Sequence, residues 1–324
     1  MGVHKLNGPL IVPGEPFPNA LRNPLLTYFL ATRPTFLLVT LFAALIGLAS
    51  AAYSGVALSF GAAALTVLFA LVAHAGINVL NDYYDDLNGT DRINQDRVFP
   101  FTGGSRFIQN GVLTPEATAR FGLALFVAVT LAGLWLAQRA GPGLLAIGAA
   151  GLAIGWGYSA PPSRLNSRGL GEFCVAAGFA LIAVGADYVQ RRGFDLLPLA
   201  AVSCYALLVT NVLYINQFPD YRADADAGKL HWVARLGPER ARWGYPAIAA
   251  VAYAALAALV AADVLPASAL AGLLAAPLSA GAAVALARRA SRPRELAPAI
   301  KMTIAAACLN GLLVSIALFL ARAS

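Results

Sequence analysis

The sequence predicts an all-α protein that crosses a membrane nine times. Of its 324 residues, 59% are hydrophobic and only 12% are charged, whereas a soluble domain carries about 25% charged residues. Apolar runs of about 20 residues recur along the chain, and a helix of that length spans the hydrocarbon core of a bilayer. The runs are too long and too uniformly apolar for the alternating pattern of a barrel strand.

The apolar runs and the segments between them predict the following elements, given in chain order. The first residues, 1–24, are rich in proline and lack the apolar core of a signal peptide. We therefore predict a cytoplasmic tail, with a short interfacial helix at Asn19–Tyr28. The remainder is a single transmembrane domain, so that the whole chain, 1–324, forms one unit without a soluble domain. The predicted spans are 34–53, 58–80, 119–138, 143–159, 171–189, 196–215, 245–263, 267–287 and 302–321.

The distribution of lysine and arginine predicts the orientation. With a cytoplasmic N-terminus, the tail and the loops after the second, fourth, sixth and eighth spans hold 19 of the 23 basic residues. Basic residues concentrate on the cytoplasmic side of membrane proteins, so the N-terminus is expected to lie in the cytoplasm. We expect an integral membrane protein, located in a bacterial inner membrane. The net charge of +7 then reflects topology and does not indicate nucleic acid binding.

An acidic motif closes the second apolar run, at residues 78–91. In a helix, Asn78, Asp82 and Asp85 would share one face, because they are separated by four and three residues. Oxygen atoms at this spacing suit Mg²⁺, which binds one or two carboxylates together with water and phosphate oxygens. The alternative is a solvated helix end, although acidic residues run against the charge bias of this side. The candidate metal ligands here are Asn78, Asn81, Asp82, Asp85 and Asp91.

A second acidic motif closes the sixth apolar run, at residues 216–229. Asn216, Asp220 and Asp224 are separated by four residues each and would again share one helix face. We predict all three as metal ligands, whereas Asp226 lies off that face and is expected to be solvated. Both motifs end their spans on the same side of the membrane. One bundle would bring them together over a central cavity that opens to the cytoplasm.

Basic residues near the acidic motifs indicate that the predicted metals bind a polyanion such as diphosphate. Lys229 follows the flexible Gly228 and would contact phosphate, or else act as an ordinary anchor on the basic side of the membrane. The proline-rich loop after the fourth span presents a phenol and two guanidinium groups, which suit diphosphate oxygens unless the loop is merely basic. A glycine-rich segment, 101–106, allows close approach to an anion. The candidate diphosphate contacts are Arg97, Arg106, Tyr158, Arg164, Arg168 and Lys229.

Together these residues resemble the UbiA-type superfamily of intramembrane aromatic prenyltransferases. The first family motif has an Asn-Asp-x2-Asp core, which is present here at residues 81–85, and the second has Asp-x3-Asp, present at 220–224. The tyrosine- and arginine-bearing loop of the family is matched by residues 158–168. The resemblance implies Mg²⁺-dependent transfer of a polyprenyl group from its diphosphate to an aromatic acceptor. It implies catalytic roles for Asp82, Asp85, Asp220, Asp224 and Lys229.

Within the superfamily, the sequence is most similar to the branch that prenylates 1,4-dihydroxy-2-naphthoate with loss of its carboxylate, a step of menaquinone biosynthesis. The similarity lies in Gly89-Thr90-Asp91, in residues 102–106 and in Gly228-Lys229. The chain departs from the branch at residues 230–232, where Leu-His-Trp replaces Arg-Thr-Leu. His231 would be either an acceptor-side general base or a surface histidine. Another acceptor, such as 4-hydroxybenzoate or a homogentisate-like ring, stays an alternative.

A cation-coupled secondary transporter is the remote alternative from another functional class. Transporter sites lie near the bilayer midplane on broken helices, whereas both acidic motifs here end their spans on one side, next to basic residues. The sequence therefore favours an enzyme whose partners are a polyprenyl diphosphate, an aromatic acceptor and the lipid bilayer. It does not determine an oligomeric state.

Overall fold

The computed structural model describes residues 12–321, and these form helices and connecting loops without a strand. The prediction of an all-α fold is therefore confirmed for this part of the chain. Short 3₁₀ helices occur at Leu165–Arg168, Ala267–Ala275 and Pro293–Glu295. The α-helices are α1 Pro24–Ala31, α2 Pro34–Tyr53, α3 Phe60–Leu87, α4 Thr90–Ile93, α5 Pro115–Ala140, α6 Gly143–Ser159, α7 Gly171–Arg191, α8 Leu197–Asp226, α9 Trp232–Leu236, α10 Pro238–Ala241, α11 Gly244–Ala261, α12 Ala276–Arg289 and α13 Ala297–Ala321.

Within residues 12–321, eight helical segments are long and apolar enough to cross a membrane. The predicted fourth span corresponds to α6, which has 17 residues and is shorter than the others. Two spans extend beyond their predicted ends, because α3 continues to Leu87 and α8 continues to Asp226. The polar residues of both acidic motifs consequently lie mostly inside these two long helices, and Pro219 lies within α8.

A short helix, α1, overlaps the segment for which we predicted an interfacial helix, but it lies closer to the first span. It begins at Pro24 because the side chain of Asn23 accepts hydrogen bonds from the backbone N–H groups of Leu25 and Leu26, and an asparagine cap followed by proline is a strong helix start. Arg33 then adopts a left-handed conformation, with φ 58°, and separates α1 from α2. Residues 1–11 of the predicted tail lie outside the described residues.

Helix α8 is the centre of the bundle and packs against α2, α7, α11 and α13. Its side chains Tyr205, Ile215 and Phe218 are fully buried, and the Tyr205 hydroxyl donates to the backbone carbonyl of Val39 in α2 at 2.5 Å. This packing fixes the second acidic motif, at the end of α8, relative to the surrounding helices.

Candidate active site

A cavity of about 670 Å³ lies among α3, α5, α6, α7 and α8, a size typical of small-molecule sites. Its lining on α3 runs from Asp85 to Thr66, which is about 28 Å at 1.5 Å per residue. Most of the wall is apolar, and the carboxylates gather at one end. We call this the polar end; it is lined by Asn81, Asp85, Asp91, Asn216, Asp220, Asp224 and Lys229.

The first acidic motif divides its side chains between the cavity and a neighbouring loop. Asp85 faces the cavity and accepts a hydrogen bond from Asn81 Nδ2 at 3.2 Å. Asp82 instead accepts the backbone N–H of Ser105, at 3.2 Å from Oδ2. Asn78 lines the cavity while its amide donates to the Thr32 carbonyl at 3.0 Å. The predicted ligands are thus close together, although Asp82 is turned toward the loop.

The second acidic motif meets the first from the opposite wall. Asp220 accepts hydrogen bonds from Asn94 Nδ2 at 2.6 Å and from the backbone N–H of Gly103 at 3.2 Å. Asp224 is 3% exposed and lies at the end of α8. Asn216 lines the cavity with its Oδ1 buried and unpartnered. As expected, Asp226 is exposed to solvent.

Lys229 joins the two motifs. Its Nζ lies 3.0 Å from Asp85 Oδ2 and 3.6 Å from Asp224 Oδ1. Burial by itself lowers the pKa of this ammonium, but the carboxylates of Asp224 and Asp85 outweigh burial and hold the pKa well above its usual range. Gly228, at φ +77°, turns the chain so that Lys229 comes back over the end of α8. The polar end therefore has a fixed positive charge between its two sets of carboxylates.

Asp91 completes the acidic lining from α4, the short helix that follows α3. Burial, followed by the nearby carboxylates of Asp85 and Asp82, raises the pKa of Asp91 well above its usual range. A Cβ atom on Gly104 would collide with the Asp91 carboxylate, and Gly104 has φ +72°, so glycine is required here for both space and backbone conformation.

Arg97 and Arg106 support this loop and do not line the cavity. The Arg97 Nε lies 2.6 Å from Glu15 Oε1, and both side chains are almost fully buried. Arg106 donates to the backbone carbonyl of Asp91, and burial, followed by the charge of Arg97, lowers the Arg106 pKa. Sequence reasoning did not identify Glu15, because a single carboxylate in a proline-rich tail gives no spacing signal.

The last turn of α6 contributes Tyr158 to the cavity, whereas the two arginines that follow the helix do not line it. Tyr158 lines the cavity near Lys229, whereas Arg164 and Arg168 are exposed and absent from its lining. Arg168 Nη2 donates to the Pro162 carbonyl at 2.9 Å, within its own loop. The position of these two arginines does not support the prediction that they contact diphosphate directly.

Arg33 is a cavity-lining cation that sequence reasoning missed. Its guanidinium lies 4.0 Å from Asp82 Oδ1, donates to the Phe101 carbonyl at 3.0 Å and stacks 4.8 Å from the centre of the Phe36 ring. Its buried Nε has no hydrogen-bond partner. The available signal was an Arg-Pro pair directly before the first apolar run. Within residues 12–321, Arg33 and Lys229 are the only lysine or arginine side chains lining this cavity.

His231 is buried at the polar end, so the interpretation as a surface histidine is wrong. Its side chain is 2% exposed, and its Nε2 lies 2.9 Å from Asp224 Oδ2. The neighbouring Trp232 is exposed. The segment 230–232 thus directs its histidine inward and its tryptophan outward.

The donor set of the polar end fits a divalent cation. Among residues 12–321, four carboxylate side chains but two lysine or arginine side chains line the cavity, and Asp91 Oδ2 and Asp224 Oδ1 are buried without hydrogen-bond partners. Among the described residues, no three His, Cys, Asp or Glu side chains form a metal-binding group by themselves. A Mg²⁺ ion takes one or two carboxylates and completes its shell with water and phosphate oxygens, and the unpartnered oxygens of Asp91 and Asp224 could serve as such ligands.

Comparison with known proteins identifies the fold and the family. The sequence profile of the UbiA prenyltransferase family matches residues 28–307. The chain is 34% identical to the 1,4-dihydroxy-2-naphthoate octaprenyltransferase of Mycobacterium tuberculosis over 74% of this chain and 78% of that protein. It is 31% identical to the 1,4-dihydroxy-2-naphthoate octaprenyltransferase of Escherichia coli over 80% of this chain and 85% of that protein.

Solved structures agree with this assignment at the level of the fold. A UbiA homologue from Archaeoglobus fulgidus bound to DMAPP and Mg²⁺ superposes with a TM-score of 0.59 at 17% identity, covering 90% of this chain and 99% of that one. The family profile and the curated relatives confirm the predicted resemblance.

Proposed function

Because this chain belongs to the UbiA prenyltransferase family and is a membrane prenyltransferase, we propose that it transfers a polyprenyl group from its diphosphate to 1,4-dihydroxy-2-naphthoate. The observation that carries the proposal is the polar end of the cavity, where Lys229 joins two sets of carboxylates beside a long apolar channel. The prediction of an enzyme rather than a transporter is confirmed by the family.

The carboxylates and Lys229 would hold the diphosphate end of the donor. Asp82, Asp85, Asp220 and Asp224, with Asn78, Asn81, Asp91 and Asn216 nearby, would hold Mg²⁺. When bound, Mg²⁺ supplies positive charge that stabilises the leaving diphosphate as its bond to the allylic carbon breaks. Lys229 and Arg33 would contact diphosphate oxygens, and Tyr158 would donate its hydroxyl. Arg97 and Arg106 would act indirectly by supporting the loop that carries Ser105.

The apolar remainder of the cavity suits the prenyl chain. It extends along α3 about 28 Å from Asp85 to Thr66, and the apolar side chains that line it include Leu144, Ile147 and Val189. An allylic cation formed at the polar end would be shielded from water by these walls. The electron-rich ring of the acceptor would then attack the cation in place of water.

The bilayer arrangement is part of the same proposal. The nine apolar segments, α6 included, would all cross the membrane as one domain, with the polar end on the cytoplasmic side. The excess of lysine and arginine in the loops of that side supports this orientation. A water-soluble diphosphate group would then enter from the cytoplasm while its chain stays in the membrane.

The acceptor is tested by product mass. Purified protein in detergent is supplied with Mg²⁺, one prenyl diphosphate and a panel of aromatic acceptors. We expect the naphthoate to give a product that has gained the prenyl group and lost CO₂, because decarboxylation restores aromaticity after attack at the carboxylate-bearing carbon. A preference for 4-hydroxybenzoate or homogentisate would retain prenyl transfer but contradict the naphthoate assignment.

The course of the prenyl chain can be tested at Gly151 of α6. Gly151 lines the cavity, and a Cβ atom there would meet nothing within 4 Å, so the glycine leaves open space in the channel. Gly151→Leu is expected to lower transfer of a long polyprenyl group by about tenfold or more while changing geranyl transfer by less than about threefold. The control is Ala150→Leu, on the exposed outer face of the same helix. An equal loss of long polyprenyl transfer and of geranyl transfer would contradict this path for the prenyl chain.

A further inference from the structure

We propose that His231 is a positioning residue that orients the Asp224 carboxylate toward the bound metal. The inference rests on the proposed divalent-metal site and assigns a role to a side chain outside its predicted ligands. His231 and Asp224 are 2% and 3% exposed, respectively, and both line the polar end of the cavity. Their contact joins the first residue before α9 to the last turn of α8.

The hydrogen bonds of the imidazole ring determine which nitrogen carries the proton. The backbone N–H of Ala234 donates to His231 Nδ1 at 3.2 Å, so His231 caps the N-terminus of α9. A nitrogen that accepts a hydrogen bond has no proton of its own. The proton is therefore on Nε2, which donates to Asp224 Oδ2 at 2.9 Å.

This hydrogen bond leaves the other carboxylate oxygen available. Asp224 Oδ1 is buried and has no hydrogen-bond partner, although Lys229 Nζ lies 3.6 Å away. With Oδ2 held by the imidazole, the carboxylate cannot rotate freely, and Oδ1 keeps its orientation. Groups that hydrogen-bond to metal-binding side chains in this way commonly change metal affinity 10- to 100-fold when they are replaced.

The imidazole ring makes two hydrogen bonds, one with the α9 backbone and one with Asp224. Two substitutions of His231 allow the effects of these hydrogen bonds to be distinguished. His231→Asn retains an oxygen near the position of Nδ1 and can still cap α9, because asparagine is a good N-cap residue, but it is too short to donate to Asp224. His231→Gln extends an amide toward the position of Nε2 and can still donate to Asp224, while the cap is weakened. A purely structural role predicts the larger defect for Gln, whereas a positioning role predicts the larger metal defect for Asn.

The experiment measures Mn²⁺ binding by electron paramagnetic resonance, in detergent with inorganic diphosphate and without prenyl substrate. Thermal unfolding of the same samples reports the fold. We expect His231→Asn to bind Mn²⁺ about 10- to 100-fold more weakly than wild type, with a similar unfolding temperature. His231→Gln is expected to bind within about threefold of wild type.

Mn²⁺ binding by His231→Asn that equals wild type, or equal weakening in both variants, would overturn the inference. Unfolding of His231→Asn alone would also overturn it, because the Asp224 contact would then serve the fold. These outcomes are independent of the proposed function. Wild-type protein that prenylates naphthoate while all three forms bind Mn²⁺ equally would retain that function and exclude the positioning role.

Discussion

Replacement of Asp85 or Asp220 by asparagine is expected to reduce kcat/KM for prenyl transfer by about a thousandfold or more. Asparagine keeps the size of the side chain and can still accept a hydrogen bond, but it removes the negative charge that would hold Mg²⁺. A single preorganised electrostatic contact is typically worth 10²- to 10³-fold in rate, and loss of a metal ligand would affect both the diphosphate and its departure. Asp82→Ala and Asp220→Ala are likewise expected to abolish Mg²⁺-dependent transfer in protein that is still folded and inserted.

The matched control for these variants is Asp226→Asn. Asp226 belongs to the same helix as Asp220 but is exposed and outside the cavity, so its variant is expected to stay within about twofold of wild type. The measurement is diphosphate release and prenylated product over a series of Mg²⁺ concentrations. Wild-type rates in the Asp85 and Asp220 variants would contradict the metal assignment.

Removal of the Lys229 ammonium is expected to be the second largest effect. Lys229→Met keeps the length of the side chain but removes the charge that lies 3.0 Å from Asp85 and 3.6 Å from Asp224. The carboxylates would then repel one another and the incoming diphosphate. We expect kcat/KM to fall by about 10²-fold, with an increase in the KM for the prenyl diphosphate and a smaller change in the KM for the acceptor.

Lys301→Met provides the control for this substitution. Lys301 is exposed on α13, far along the chain from both acidic motifs, and its loss is expected to have little effect. If Lys229→Met changed only the KM for the aromatic acceptor, the proposed contact between Lys229 and diphosphate would be wrong.

Most of the cavity-lining polar residues could be predicted from the helical spacing of the two acidic motifs. Asn78, Asn81 and Asp85 line the cavity from α3, while Asn216, Asp220 and Asp224 line it from α8. The sequence could supply this grouping because residues three and four apart share a helix face. Asp82 is not among the cavity-lining residues and instead accepts the backbone N–H of Ser105, a contact that depends on a loop whose path has no periodic signal.

The basic residues were harder to assign from the sequence. An arginine side chain is long, and the same residue type serves as a ligand contact, a loop support or a membrane-surface anchor. Arg97 pairs with Glu15, whose position about 80 residues earlier gives no local indication of the contact. Arg33 has a left-handed backbone conformation that interrupts the helix between α1 and α2, and its side chain lines the cavity.

The sequence alone determined that this is a helical membrane protein of the prenyltransferase type with two acidic helix ends. Long apolar runs admit few other structures in a bilayer, and helix periodicity orders side chains within each run. Only the tertiary structure decided that Lys229 joins the two motifs, that His231 contacts Asp224 and that Arg164 and Arg168 lie outside the cavity. Those contacts depend on how separate helices and loops pack against one another, and the spacing of residues within one segment contains no information about that packing.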